Sequence, residues 1–473
     1  MNSDQRPNVL VVLVDQLRYD VFSHMGDSVV ETPHIDRLAS EGVVFTDAIC
    51  SSPVCGPSRA SLLSGCYSYD GCYVQANREP TQKSPWNVPI KTVDEALTDS
   101  GMHVEYHGKW HVGSDHLDCY RGEERVFGHK LTEYHDHLAE RYEAPEPEGD
   151  YKFDNYTQWP YRFWDIDKQI EEGLKNHAIF HTPQAGVIEV ADEDTLTAWT
   201  AQKTIRFLES EPSAPFAVTC SILHPHGPVV ANETYAGLYD SDAMPMPENL
   251  DGYFGPGPGQ RGKKPSIPDA IPADGSGLGQ FMALYYGLVK ELDDWMGKLL
   301  DALEKSGHQD DTLVIFTSDH GEMMGNHNLF GKGIFLEESL RVPLVMRYPN
   351  GVQPGQRLRA PATGADLAPT ILDYCGVEPL EQFHGNSLRG VIDGGDPDSP
   401  YAYSELGNRQ CLRSTEWKLV LESGKASELF DLGNDPLEME NVLDLESVPE
   451  EASREQEKME VKLKADFSVT EMG

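Results

Sequence analysis

Asn8-Val-Leu-Val-Val-Leu-Val14-Asp15-Gln16 is an unbroken aliphatic run that ends abruptly in an acid and an amide. With no polar residue from Val9 to Val14, it predicts a strand buried on both faces, as in a parallel sheet covered by helices. Two later stretches repeat the pattern: residues 216–223 end near His224-Pro-His226, and residues 312–317 end at Ser318-Asp319-His320. Helical periodicity precedes each, over residues 196–208 and 279–305, and Thr32-Pro-His-Ile-Asp-Arg-Leu reads as a helix entered through proline. Strands alternating with helices predict an α/β fold, a large and mostly parallel central sheet sandwiched by helices. Ligands bind such sheets at the carboxyl ends of the strands. Asp15, His224/His226, Asp319 and His320 all fall there, so three separate strands deliver polar side chains to one edge.

Outward from this core the pattern changes. Near residue 376 it gives way to short strands at 411–414, 417–421 and 428–432, then a charged helix from 448 to about 467. This divides the chain into an α/β domain over 1–375 and a small C-terminal α+β domain over 376–473 with a short antiparallel sheet. Residues 119–182, rich in aromatics, His and acids, and residues 244–277, rich in Pro and Gly, read as inserted loops that shape a site.

Of the 473 residues 25% are charged and 39% hydrophobic, an ordinary balance for a soluble globular chain. The sign of the charge is not ordinary. Asp and Glu number 78 against 38 Lys and Arg, a formal net charge of -40. Such a surface repels nucleic acid and anionic membranes, so neither is an expected partner. An anionic substrate must be captured by a local cationic pocket against the global field. The run 9–14 is too short for a signal peptide or a membrane span. The expected location is therefore the cytoplasm, or the periplasm or exterior had a leader been trimmed. Eight cysteines show no CxxC spacing and are read as mostly reduced. Nothing in the sequence signals an oligomeric state.

Cys55 sits in Ser-Ser-Pro-Val-Cys55-Gly-Pro57-Ser-Arg59-Ala-Ser-Leu-Leu-Ser-Gly65. A loop that turns into a helix here aims backbone N–H groups at the thiol. Arg59, one turn on, can aim its guanidinium at the same spot. Read alone, the stretch fits two descriptions equally: a donor-rich pocket for a tetrahedral oxyanion, or a buried Cys at a Pro-kinked helix start.

The remaining motifs separate these. The chain resembles the formylglycine-dependent sulfatases of the alkaline-phosphatase superfamily over nearly its whole length. The resemblance rests on Asn8-Val-Leu to Asp15-Gln16, Thr32-Pro-His-Ile-Asp-Arg-Leu, Cys55-Gly-Pro-Ser-Arg59, Gly108-Lys109-Trp-His111-Val-Gly113 and Pro225-His226-Gly-Pro228. It continues through Thr317-Ser-Asp319-His320-Gly321-Glu322, Lys332, Glu337-Glu338-Ser339, Arg341-Val-Pro343 and Glu428-Leu-Phe-Asp-Leu432. It implies that Cys55 is oxidised by a formylglycine-generating maturation enzyme. The aldehyde hydrates to a geminal diol, one hydroxyl attacks the sulfur of a sulfate ester, and the second drives release of sulfate by C–O cleavage.

The resemblance implies one divalent cation on Asp15, Gln16, Asp319 and His320. Many sulfatases carry a second Asp where this chain has Gln16, and an Asn where it has His320. Calcium is the expected ion, and the imidazole makes manganese or another transition ion the alternative. Lys109 is expected on a sulfate oxygen and His111 on the diol, taking the proton in the release step. His226 and Lys332 are expected at the leaving-group oxygen. His224 also neighbours a proline, but the Pro-His-x-Pro spacing favours His226. Arg59 organises the modified residue and the metal carboxylates, since guanidinium stays charged. Asn77, Asp115, His116 and His327 are further candidates for substrate contact. The expected activity is hydrolysis of a carbohydrate, alkyl or aryl sulfate. The competing reading, a formylglycine-dependent phosphonate monoester or phosphodiester hydrolase, shares the Asp-Gln and Asp-His pairs but tends to lack the Lys109/His111 pair. An inactive binding protein that keeps only the fold is a third reading, opposed by every chemical position being filled.

Overall fold

The opening aliphatic run becomes β1 (Asn8–Val14), and its neighbours explain its composition. In a computed structural model of the protein, β1 lies between β5 (Phe216–Ile222) and β6 (Thr312–Ser318), parallel to both, with Val14 opposite Ile222 and Ser318. The structure describes residues 6–67, 89–112, 116–120, 126–127, 132–143, 178–179, 182–183, 185–210, 212, 215–250 and 277–466. The remaining strands of the sheet are β2 (Val43–Phe45), β3 (His103–Lys109), β4 (Val126–Phe127), β7 (Leu344–Arg347) and β8 (Gln356–Leu358). Their spatial order is β8-β2-β7-β6-β1-β5-β3-β4. Only β7 runs against its neighbours, so the sheet is mostly parallel, as its sequence predicts.

Alternation along the strands sends side chains to two separate cores. Leu10, Val12, Val14, Val218, Ile222, Val314 and Phe316 pack on one face, beneath α6 (Leu278–Lys305) and beside α5 (Leu196–Glu209). Val9, Leu13, Ala217, Leu313 and Ile315 fill the other face with α2 (Cys55–Ser64), α3 (Val93–Asp99) and α7 (Leu367–Tyr374). The proline-entered segment is α1 (Pro33–Ser40).

The first insert corrects one expectation. Read as loop, it contains α4 (Thr132–Ala139). Tyr134 and Leu138, one turn apart, are its buried anchors, too short an apolar stripe to register as periodicity.

The C-terminal sheet is the antiparallel meander β9 (Ala402–Leu406), β10 (Arg409–Arg413), β11 (Trp417–Glu422) and β12 (Lys425–Asp431). The final charged helix, α8 (Glu450–Asp466), seats Ala452, Met459 and Leu463 on Leu419, Leu421 and Leu429. A buried charge cluster joins this sheet to the α/β core. Glu337, in the one-turn helix Glu337–Leu340, accepts from Arg413 Nη2 at 2.7 Å and Lys418 Nζ at 3.0 Å. No helix among the described residues is long and apolar enough to cross a membrane.

Candidate active site

Strand pairing sets the site. Where β1 ends, the Asp15 N–H donates to Ile222 O at 3.0 Å, and the Asp319 N–H donates to Val14 O at 3.1 Å. The ladder therefore delivers both carboxylates to the same level of the carboxyl edge. Gln16 follows in the left-handed region, φ 61°, with its N–H donating to Asp319 Oδ1 at 3.1 Å. α2 starts at Cys55, and Ser58 Oγ ties this helix to the Asp319 carbonyl at 2.5 Å.

Cys55 Sγ lies 3.1 Å from His320 Nε2 and 3.6 Å from Asp15 Oδ1, and Lys332 Nζ donates to it at 2.9 Å. This sulfur occupies the place that a side-chain oxygen of formylglycine would take in matured protein. Burial pushes the thiol up, against the opposing pull of Lys332. An unmodified Cys55 is thus a poor thiolate nucleophile here.

Arg59 is fully enclosed and spends Nε and Nη1 on the frame, while Nη2 lies 3.8 Å from Asp15 Oδ2 with no hydrogen-bond partner among the described residues. Nε donates to Asp319 Oδ2 at 2.7 Å, and Nη1 donates to Lys109 O at 2.9 Å and Ser221 Oγ at 2.8 Å. The Lys109 carbonyl also accepts from Tyr106 Oη and Ser221 Oγ, each at 2.7 Å. Gly108, at φ 105°, is required because a Cβ there would collide with the Ser221 carbonyl. Trp110, wedged edge-on against Tyr106 and Tyr120, supports the turn from behind. It turns at His111, which is buried with φ 67°.

The Lys109 ammonium meets Asp15 Oδ2. Burial drives its pKa well down, opposed by Asp319. Burial alone would raise the Asp319 carboxyl, yet its neighbour His320, with Arg59, Lys109 and Lys332, holds it well below the usual carboxylate range. Burial pushes His320 down to about 3, so its ring is neutral.

The donor set fits a cation. Asp15, Cys55, Asp319 and His320 offer ligand atoms that all lie within 4.8 Å of one another. His320 Nδ1 faces the Gly321 carbonyl at 2.9 Å, which makes it the protonated nitrogen and leaves a lone pair on Nε2. That lone pair points at Asp15 Oδ1 and Asp319 Oδ1, each 3.5 Å away. Three electron-rich atoms facing one another at this spacing are what a cation between them would resolve. Gln16 presents Oε1 to Lys332 Nζ at 2.8 Å.

The other candidates fall as follows. His226 is half-buried, with Nδ1 2.6 Å from the Gly227 carbonyl. His224 is buried, pushed down to about 4, and neither ring nitrogen is bonded among the described residues. His116 faces inward, its Nδ1 2.9 Å from Glu95 Oε2, and Glu95 also closes the capping box that starts α3. His327 is fully buried, its N–H on the Asn249 carbonyl at 3.0 Å. Asn77 and Asp115 lie outside the described residues. Ser58, Tyr106, Ser221 and Glu322 complete the frame and are not among the residues singled out as candidates. Glu322 closes the Asp319-His320 motif, whereas an isolated Ser or Tyr in a strand carries no signal.

The sulfatase family model matches residues 7–377. The chain belongs to the sulfatase family. A second family model, N-sulphoglucosamine sulphohydrolase, C-terminal, matches residues 325–465 of this sulfatase. An arylsulfatase of Clostridium perfringens is 28% identical over 462 residues, covering 94% of this chain and 92% of that protein. The multifunctional alkaline phosphatase superfamily protein PehA of Trinickia caryophylli is also 28% identical, covering 92% of this chain and 91% of its own length. Among solved structures, the phosphonate monoester hydrolase of Agrobacterium radiobacter superposes with a TM-score of 0.76 at 24% identity, over 98% of this chain and 95% of that one. That likeness shows the shared fold. Family membership and the sulfatase relatives make this chain an enzyme of the sulfuric ester hydrolase class.

Proposed function

We propose that this sulfatase hydrolyses a carbohydrate, alkyl or aryl sulfate monoester, using formylglycine made from Cys55 by a maturation enzyme. One observation carries the reading: Lys109, Arg59 and Lys332 converge with two strand-end carboxylates around a single buried Cys55, in a chain of net charge -40. Such a cluster of cations serves an anionic group. Matured Cys55 would supply a hydrated aldehyde as nucleophile. A divalent cation, calcium or alternatively manganese, held by Asp15, Gln16, Asp319 and His320, would stabilise negative charge on oxygen.

The chain's own side chains do the rest. Lys109, released from Asp15, places its ammonium on a sulfuryl oxygen. Lys332, which reaches Cys55 and Gln16 here, stabilises charge where the alcohol departs. His226 borders solvent and donates the proton to that alcohol. His111 removes the proton that allows sulfate to leave. Arg59 holds the frame. The division into a catalytic domain over 1–375 and an α+β domain over 376–473 belongs to the same proposal.

The test is coexpression with a maturation enzyme, peptide mapping of Cys55, and turnover of sulfated sugars, choline sulfate and aryl sulfates beside phosphonate monoesters. An aldehyde at Cys55 with preferred sulfate release is expected. Faster phosphonate hydrolysis would establish the competing chemistry. Full activity with an unmodified thiol would overturn both.

A further inference from the structure

Glu322 is entirely buried one residue past the Asp319-His320-Gly321 turn. Its Oε1 accepts from the Gly331 N–H at 2.6 Å and the Met324 N–H at 3.0 Å. Its Oε2 accepts from Gln16 Nε2. A carboxylate only accepts, whereas the Gln16 amide has one accepting and one donating end. The donating end is therefore fixed on Glu322. The accepting end, Oε1, must point the other way, where Lys332 Nζ meets it at 2.8 Å. Lys332 stands one residue beyond Gly331, so the same carboxylate also anchors the loop that carries it.

We infer that Glu322 is a positioning residue that sets the donor atom of Gln16, presenting its oxygen rather than its amide nitrogen to the cation. The inference rests on the metal assignment made above but not on the identity of the substrate. A Gln, unlike an Asp, can present the wrong atom, and Glu322 removes that ambiguity. This gives a physical reason for Gln16 to serve where an anionic ligand is the common choice.

The change Glu322→Gln isolates this role. The new side chain has one accepting oxygen, and two backbone N–H groups require it. Its amide nitrogen is left facing Gln16, whose oxygen must turn back to accept. The Gln16 nitrogen then faces the cation site. The loop stays anchored while the ligand is reversed.

The experiment titrates Ca2+ alone, and separately Mn2+ alone, into metal-free full-length protein by calorimetry, in a double-mutant cycle of Glu322→Gln with Gln16→Glu. Glu322→Gln alone is expected to weaken binding of the preferred ion about 10–100-fold, as for other residues that orient a metal ligand. In the Gln16→Glu background the same change should cost nothing or improve binding, because the new amide then donates to an acceptor-only ligand. A purely structural Glu322 would cost the same in both backgrounds, and that result would overturn the inference. So would a loss below about threefold in the first arm. If Glu322→Gln prevents folding only when Gln16 is present, the coupling is supported. If it prevents folding in both backgrounds, the inference falls. Because the readout is metal affinity, a protein that proves inactive on sulfate esters leaves this result intact.

Discussion

Arg59 Nε donates to Asp319 Oδ2 at 2.7 Å with both side chains sealed from solvent, so the helix that begins at Cys55 is pinned to the end of β6 by one charged hydrogen bond. The same guanidinium reaches the Lys109 carbonyl and Ser221 with Nη1. One side chain thereby locks three strand ends and the nucleophile helix into register.

A lysine cannot reproduce that fork. Arg59→Lys cannot span Asp319 and Ser221 as the fork does. The Lys109 carbonyl keeps its donors Tyr106 and Ser221, but Asp319 Oδ2 or Ser221 Oγ loses its bond from the guanidinium. Hydrogen bonds to charged groups contribute about 1.5–3 kcal/mol each, so a stability loss of at least about 2 kcal/mol is expected by urea unfolding. Cation affinity should fall with it, because Asp319 loses its anchor. Wild-type stability in this variant would show that the fork is dispensable.

Lys109→Ala tests the cation closest to Asp15. Removing a group aimed at developing charge costs about 100–1000-fold in kcat where such groups have been deleted. Steady-state kinetics of matured protein on an aryl sulfate should show a loss of that order in kcat/KM. A variant within about twofold of wild type, far from that range, would place Lys109 outside the reaction.

Much of the candidate site is legible in the sequence, for specific reasons. The run 8–16 announces both a doubly covered strand and its polar terminus, because burial on two faces excludes every polar residue until the strand ends. Asp319-His320 is legible for the same reason. β3 carries no strand signal because His103, Glu105, His107 and Lys109 interrupt any apolar pattern. These polar groups are satisfied within the strand, where His103 and His107 both bond Glu105, and by the tertiary partners Thr204 and Asp15. β7 and β2 are too short to announce themselves. The roles of Glu322 and Ser221 depend on which atom of a neighbour they face, a relation that no spacing encodes.

The buried bridge between the C-terminal sheet and the core should give stability two opposed pH limbs. Burial alone would raise the Glu337 carboxyl, but Arg413, Lys418 and Arg341 outweigh it and hold it well below the usual range. A depressed carboxylate stabilises fully above its unfolded value, near 4.5, and that contribution is lost as pH falls. Glu438 belongs to the same cluster, its carboxyl meeting Lys418 Nζ and accepting from the Glu337 N–H at 2.7 Å. Burial outweighs Lys418 and pushes it up to about 8, so its contribution is full in acid and is lost between about 4.5 and about 8 as pH rises. Urea unfolding across pH should therefore show Glu337→Gln losing about 3–5 kcal/mol near neutrality, as when one partner of a buried pair is removed, together with a flattened acid limb. Glu438→Gln should flatten the alkaline limb instead. An acid limb unchanged in Glu337→Gln would contradict the assignment.

The last prediction concerns how so acidic a protein captures an anion. A formal charge of -40 repels a sulfate ester at long range, while the pocket attracts it at contact through Lys109, Lys332, Arg59 and a cation. Salt acts unequally on these two effects. The Debye length shortens from about 30 Å at 0.01 M to about 10 Å at 0.1 M, enough to screen the global field but not contacts of hydrogen-bond length inside a buried pocket. Raising chloride over that range should therefore increase kcat/KM for a small sulfate ester, or at least leave it unchanged. Sulfate salts are unsuitable, because sulfate is the expected product and competes for the site. In Lys109→Ala the long-range repulsion persists, so the same upward trend should appear on a much lower baseline. A wild-type kcat/KM that falls steeply with chloride, at constant metal occupancy, would mean that attraction rather than repulsion governs the approach, and that the positive field of the pocket extends well beyond its rim.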